Sequence, residues 1–323
     1  MKYFLIKLLG FIFVLIILFT VVVIILGMQS NVHTDYLKAM TQKHSRIDSI
    51  NKPMIILAGG SNTAFGMDSE KLEKEFSVPV VNLAIHAGFG LNFILEEIKH
   101  TVKSKDIVFI SIEYFLDNEG AYELKRNANL YYPEASKYYD FEMDKEINLI
   151  FDRTRSKLKN IIKNNKLTGD TTIKENLYSS SAFNNYGDFV AHLNLPPIEV
   201  LNDKTNFKYI YWSGIDNLNK LNQYAKSKNV TIYYIFPNYP LSEFEKNKDV
   251  LNRHFDDLYN NLDMEILNKP LDFIYEDKYF FNTVYHLNKI GRDKRTKQLV
   301  EFIKNSPDVY DKVKAIANYN KSK

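Results

Sequence analysis

Met54-Ile55-Ile56-Leu57-Ala58-Gly59-Gly60-Ser61-Asn62 decides the fold. Five apolar residues that break into two glycines and then a serine read as a short buried strand entering a turn and a helix. Open α/β sheets hold their ligands at the carboxyl ends of strands, so Ser61 is a candidate nucleophile. Glycine permits the exposed backbone conformations in which amides face a developing oxyanion. The competing reading is an ordinary strand-to-helix turn with Ser61 or Asn62 as the helix N-cap. Far downstream, Tyr285-His286-Leu287-Asn288 offers a candidate general base.

Outward from this stretch, strands and helices alternate. A helix starts near Asp68-Ser69, and a second strand spans Val78 to Asn82. The Gly88-Phe89-Gly90 turn leads into a helix from Asn92 to Val102 whose Ile94, Leu95 and Ile98 share one face. Further strands are expected at 107–112 and 231–236, and a last helix at 290–303. This alternation predicts a mostly parallel, three-layer α/β/α sheet. Residues 116–210 are irregular and rich in Tyr and Asn, with a mixed-charge helix over 144–164 followed by Gly169-Asp170. They read as an insertion or cap. Tyr131, Tyr132, Tyr138, Tyr139, Tyr178 and Tyr186 either line a sugar-stacking groove or serve as half-buried packing.

The N-terminus locates the rest. Leu8 to Leu26 carries no charge and as a helix rises about 28 Å, which nearly matches a bilayer's hydrocarbon core. Gly27-Met28-Gln29-Ser30 offers no Ala-x-Ala-like cleavage site, which favours an uncleaved anchor. Lys2 and Lys7 precede the span and the next basic residue is Lys38, so the N-terminus is expected in the cytoplasm. The expected order is a cytoplasmic tail at 1–7, an anchor at 8–27, a polar stalk or first helix at 28–50, and an extracytoplasmic domain at 51–323. With no cysteine, neither a lipoprotein modification nor a disulfide is available. A composition of 45% hydrophobic and 25% charged residues describes a folded chain. A net charge of +3 without a basic run interleaved with aromatics argues against a nucleic-acid partner.

The block from Gly59 to Ser69 resembles the first conserved block of the SGNH (GDSL-like) hydrolases, and more closely a bacterial membrane-anchored branch associated with the cell envelope. Asn82-Leu83-Ala84-Ile85-His86-Ala87-Gly88, Phe183-Asn184-Asn185-Tyr186-Gly187-Asp188, and Tyr285 to Asn288 with Gly291, Arg295 and Thr296 fit that branch in order. The resemblance implies a flavodoxin-like SGNH fold. It implies Ser61 as nucleophile, His286 as base, and the amides of Ser61 and Gly88 as oxyanion donors. The family's acid upstream of the His is replaced here by Asn282 and Thr283. An Asn that usually follows the third strand is not evident, since Ile107 to Ile112 leads into Glu113, Tyr114 and Phe115. Asn62 is a substitute donor for that Asn; Asp277, Glu276, Asp272 or a backbone carbonyl is a substitute partner for His286.

Further candidates border these. His86 lies beside the expected oxyanion turn. Glu113 is expected at the same sheet edge as Ser61, orienting substrate or His286, or pairing with Arg295. Asp188 and His192 share a face if their stretch is helical. No metal-ligand motif occurs, and neither a metal nor a cofactor is expected. The resemblance implies an esterase or O-acyltransferase acting on acyl esters of an envelope glycan or polymer, with a multi-spanning membrane acyltransferase as a candidate partner. The alternative is a weakened or inactive SGNH-fold protein that binds glycan within an acyltransferase assembly.

Overall fold

The computed structural model describes residues 2–28, 35–163, 177–196, 201 and 204–322. Gln29, Ser30 and Gly169-Asp170 lie outside the described residues. The chain divides into two compact units, one from residues 1–35 and 140–176, the other from 36–139 and 177–323. The first contains α1 (Lys2–Met28) and α7 (Met143–Lys163), which pack on each other. Helix α1 is long and apolar enough to cross a membrane, with a qualifying stretch over Lys2–Val23.

The second unit is built on a parallel sheet. Its strands are β1 (Ile55–Gly59), β2 (Val80–Asn82), β3 (Ile107–Ser111), β4 (Thr231–Tyr234) and β6 (Glu265–Ile266), in the order β2-β1-β3-β4-β6. Every pairing is parallel, and Leu57 sits between Asn82 and Phe109. A separate parallel pair joins β5 (Tyr239–Pro240) to β7 (Ile274–Tyr275). The sequence reading missed β6 and this pair, because strands of two residues leave no periodic signal.

Alternation along β1 assigns the two sheet faces. Ile56 and Ala58 join Val108, Ile110, Ile232 and Tyr234 beneath α5 (Leu91–Thr101), α8 (Gly214–Ser227) and α9 (Leu241–Asn261). Ile55 and Leu57 join Val80, Phe109 and Tyr233 beneath α4 (Ser69–Phe76), α10 (Lys289–Asn305) and α11 (Pro307–Lys321). Two buried apolar faces on β1 and β3 explain why these strands read as continuous hydrophobic runs. The last helix was expected at 290–303; Ser306-Pro307 instead ends α10 and opens α11, because Pro suits a first helical turn.

Residues 39–49, read as stalk or first helix, form α2 (Ala39–Ser49) with Met40 and Ile47 buried. Its Lys43 is also buried. The ammonium donates to Asn82 O at 3.0 Å, Ala84 O at 2.5 Å and Gly187 O at 2.6 Å. Burial lowers its pKa to about 7 against the pull of Asp188 and Glu97. Three carbonyls thus tie α2 to the strand β2 exit and to the 183–188 turn.

The expected insertion does not behave as one body. Residues 140–176 fall in the unit of α1, whereas 116–139 and 177–210 fall in the sheet unit. In the latter, α6 (Tyr122–Tyr131) and the turn after it bring Tyr138 onto Phe93, and Tyr132 stacks on His44 at 4.2 Å. Tyr186 lies under the Arg46 guanidinium. These tyrosines are packing.

Candidate active site

Ser61 opens α3 (Ser61–Gly66) directly beyond β1. Gly59 makes the turn possible: its φ is +146°, and a Cβ there would lie 2.0 Å from Ser111 O. At Gly60 a Cβ would strike both Glu113 carboxylate oxygens at 2.4 Å. The two glycines are therefore fixed by the close approach of β3 and the residues after it. Ser61 is half-buried, and its amide, at a first helical position, has no intrahelical acceptor.

His286 is brought to the same helix. Its ring stacks on Phe65 at 3.8 Å and 3°. Phe65 lies one turn after Ser61 on the same face of α3, about 6 Å along the axis. Phe65 stacks in turn on Phe189 at 4.1 Å. The loop is clamped by Phe281 N donating to His286 O at 2.8 Å, and by Thr283 Oγ1 accepting from the amides of Tyr285 and His286.

Asn282 occupies the place of the missing acid. Its Oδ1 is 2.8 Å from His286 Nδ1, while its Nδ2 donates to Tyr178 Oη at 2.8 Å. With the amide so oriented, Nδ1 carries the hydrogen and Nε2 keeps the lone pair that a general base needs. The substitute acids are engaged elsewhere: Asp277 accepts from Ser242 N, Asp272 from Lys269 N, and Glu276 pairs with Lys278. Burial, and after it the neighbouring His192 and His86, push His286 down to about 3, so the ring is neutral at ordinary pH. Among the described residues neither Ser61 Oγ nor His286 Nε2 has a hydrogen bond to the protein, and none joins them.

Of the two amides expected to hold an oxyanion, that of Gly88 has another acceptor. Gly88 N donates to His86 Nδ1 at 2.8 Å, within a short 3-10 turn capped by that exposed ring. Asn62 N donates to Glu113 Oε1 at 3.0 Å. The Asn62 side chain is fully buried; it donates to Ser111 O and accepts from Ser111 Oγ and Arg295. Asn62 is therefore structural, a correction to its expected ligand role. Glu113 neither reaches His286 nor pairs directly with Arg295. Its Oε2 is buried without a partner, and burial raises its pKa against the opposing pull of the Asn62 contacts and Arg295.

Asp188 is corrected in the same way. It is fully buried and accepts from Ser69 N and Oγ, Asn82 Nδ2 and Arg292. His192 turns from it and contacts Leu287 O at 2.9 Å, so the expected pair does not form. Among the described residues no group of three His, Asp or Glu could hold a metal. A cavity of about 580 Å³ opens beside α2, lined by Lys43, Arg46, Ser181 and Asn184, but its cations are committed to backbone and to Glu73.

Three residues contribute in roles that the sequence did not show. Arg295, fully buried, donates to Asn62 O, Asn238 Oδ1, Asn62 Oδ1 and Ser111 Oγ, binding the start of α3 to two strand ends. Phe65 seats the imidazole, and Tyr178 orients Asn282. Tyr178 stood in the sequence only as one tyrosine of an irregular stretch.

No family model and no curated protein matches this chain.

Proposed function

We propose that this chain is a membrane-anchored, extracytoplasmic SGNH-like esterase or O-acyltransferase acting on acyl esters of an envelope polysaccharide. The observation that supports it best is the His286 ring, bonded through Nδ1 to Asn282 and stacked one helical turn from Ser61. Ser61 Oγ attacks the ester carbonyl while His286 Nε2 takes its proton, and the alkoxide leaves with that proton. Water or a sugar hydroxyl, deprotonated by the same nitrogen, then releases the acyl group. Asn282 orients the ring without adding a charge. The strand order, with β1 and β3 side by side at the switch point, fits a flavodoxin-like SGNH fold with the site outside those strand ends. Helix α1 serves as a single-pass anchor, and the flanking lysines favour an internal N-terminus.

A second reading has its own support. Gly88 N and Asn62 N both carry protein acceptors, as a fold retained for binding beside a membrane acyltransferase would allow. The test is the full-length chain in detergent, treated with a fluorophosphonate probe beside Ser61→Ala and His286→Ala. Labelling confined to Ser61 and dependent on His286 supports the enzyme. A folded protein that neither labels nor turns over an acetyl ester supports the binding component.

A further inference from the structure

Helix α7 carries a buried, an apolar and a polar side, the first two meeting at Thr154. Leu149, Arg153 and Thr154 are buried, and Thr154 Oγ1 lies 3.0 Å from Val23 O on α1. Beside them Met143, Ile147, Phe151 and Leu158 are exposed, at 64%, 46%, 60% and 46%. At 100° per residue these four fall within about 80° of the circumference, so they form one stripe rather than scattered apolar residues. Asn148, Asp152, Arg155 and Lys159 are exposed on the polar side. From Arg153 to Lys163 the sequence holds five basic residues and no acid.

A soluble helix buries such a stripe; this one leaves it open. Its neighbour is α1, whose side chains through Val22 are exposed along their whole length. The contact at Val23 falls five residues before the end of α1, about 8 Å along its axis, near where a spanning helix leaves the hydrocarbon. Arg155 and Lys159, on the polar side toward the C-terminal end of α7 and beyond Asp144 and Asp152, complement anionic headgroups, and a stripe flanked by Lys and Arg is the pattern of helices that sit at a bilayer boundary.

We propose that α7 is a second membrane-contacting element, with Met143, Ile147, Phe151 and Leu158 in the acyl-chain boundary and Arg155 and Lys159 on anionic lipid headgroups. This rests on α1 being the anchor, and gives the chain two points of attachment to one leaflet.

The natural absence of cysteine makes the test direct. Single variants Ile147→Cys, Phe151→Cys, Asn148→Cys, Asp152→Cys and, in α1, Ile17→Cys are labelled with an environment-sensitive fluorophore. The full-length chain is reconstituted in vesicles of phosphatidylcholine with phosphatidylglycerol. Labels at 147 and 151 are expected to be quenched by doxyl lipid and shielded from iodide, as at 17, while 148 and 152 stay open to iodide. Pure phosphatidylcholine, or Arg155→Gln with Lys159→Gln, is expected to reduce the lipid-bound fraction of α7 on the order of tenfold. Iodide access at 147 and 151 with 17 shielded overturns the proposal and leaves the anchor standing. Iodide access at all three removes the anchor as well. Shielding of 147 and 151 only after a membrane protein is added assigns the stripe to a protein partner and overturns the lipid assignment.

Discussion

Replacing Asn282 separates a working base from a decorative one. The Asn282 amide fixes the His286 tautomer because Tyr178 takes its Nδ2 and leaves Oδ1 for the ring. In serine proteases, Asp to Asn at the equivalent position costs about 10⁴ because the wrong tautomer results. Here the amide is already oriented, so that penalty does not apply. Asn282→Ala removes one hydrogen bond from a buried ring, worth about 1–3 kcal/mol, and should slow fluorophosphonate labelling of Ser61 by about 5- to 150-fold. Asn282→Asp exchanges a neutral acceptor for a charged one, a gain of about 1–1.5 kcal/mol, and should speed labelling about tenfold. It should also raise the His286 pKa from about 3, because a carboxylate favours the imidazolium. The assay is the second-order labelling constant from pH 4 to pH 8. The parent should be nearly flat over this range, since its base is already deprotonated, whereas Asn282→Asp should show a rising limb at its acid end. Equal labelling by all three proteins, abolished only by Ser61→Ala, would refute the role given to Asn282.

Three further outcomes are expected. Glu113→Gln keeps the acceptor for Asn62 N and removes the ionisation. The folded pKa of Glu113 is raised, so its favourable contribution is present below about pH 4.5 and lost as pH rises through the folded value; the variant should melt at or above the parent at pH 7.5, with the difference shrinking toward pH 4. A lower melting temperature at pH 7.5 counts against a buried, costly carboxylate. His286, His192 and His254 have folded values near 3, 4 and 4, below the unfolded 6.5, so stability should fall as pH drops from about 6.5 to about 4. His254→Leu, at a fully buried ring with both nitrogens unpartnered, should blunt that fall in thermal melts, and an unchanged profile would contradict it. Gly59→Ala should cost about 3 kcal/mol in denaturant unfolding, since the new Cβ meets Ser111 O at 2.0 Å and φ is +146°. A loss under about 1 kcal/mol would show the turn to be plastic.

How much of this was legible depended on how local the cause was. The β1–α3 turn was readable because a buried strand announces itself by apolar continuity, and the turn required glycine for reasons its own backbone supplies. His286 and Asn282 were legible as positions, being four residues apart in one loop. Their relation was not, because Tyr178, from a distant segment, orients the amide. Asn62 and Asp188 misled for a physical reason. A polar side chain beside a Gly turn looks the same in sequence whether it faces a ligand or caps a neighbour, and here Arg295 and Arg292 take them inward. The apolar stripe of α7 is not legible within a mixed-charge helix, since its meaning depends on packing beside α1.

The amides around Ser61 bear on the chemistry more than the missing acid does. In the proposed reaction an incoming carbonyl oxygen would meet the Ser61 N–H at the start of α3, whereas Gly88 N–H must first leave His86 Nδ1. That neutral hydrogen bond is worth about 1 kcal/mol, and the His86 ring is exposed, so its release costs roughly a factor of five. A third donor is another matter. Asn62 Nδ2 is tied to Ser111 O in a fully buried network held by Arg295, and the Glu113 carboxylate accepts from Asn62 N. Losing one oxyanion donor costs about 10²–10³ in rate. In the proposed reaction the site therefore brings His286 to within one helical turn of Ser61, with no hydrogen bond between them, and offers the Ser61 and Gly88 amides as its oxyanion donors. If the proposed function holds, such a site suits an activated acyl donor better than unassisted hydrolysis of a stable ester, because an activated donor needs less stabilisation of its oxyanion.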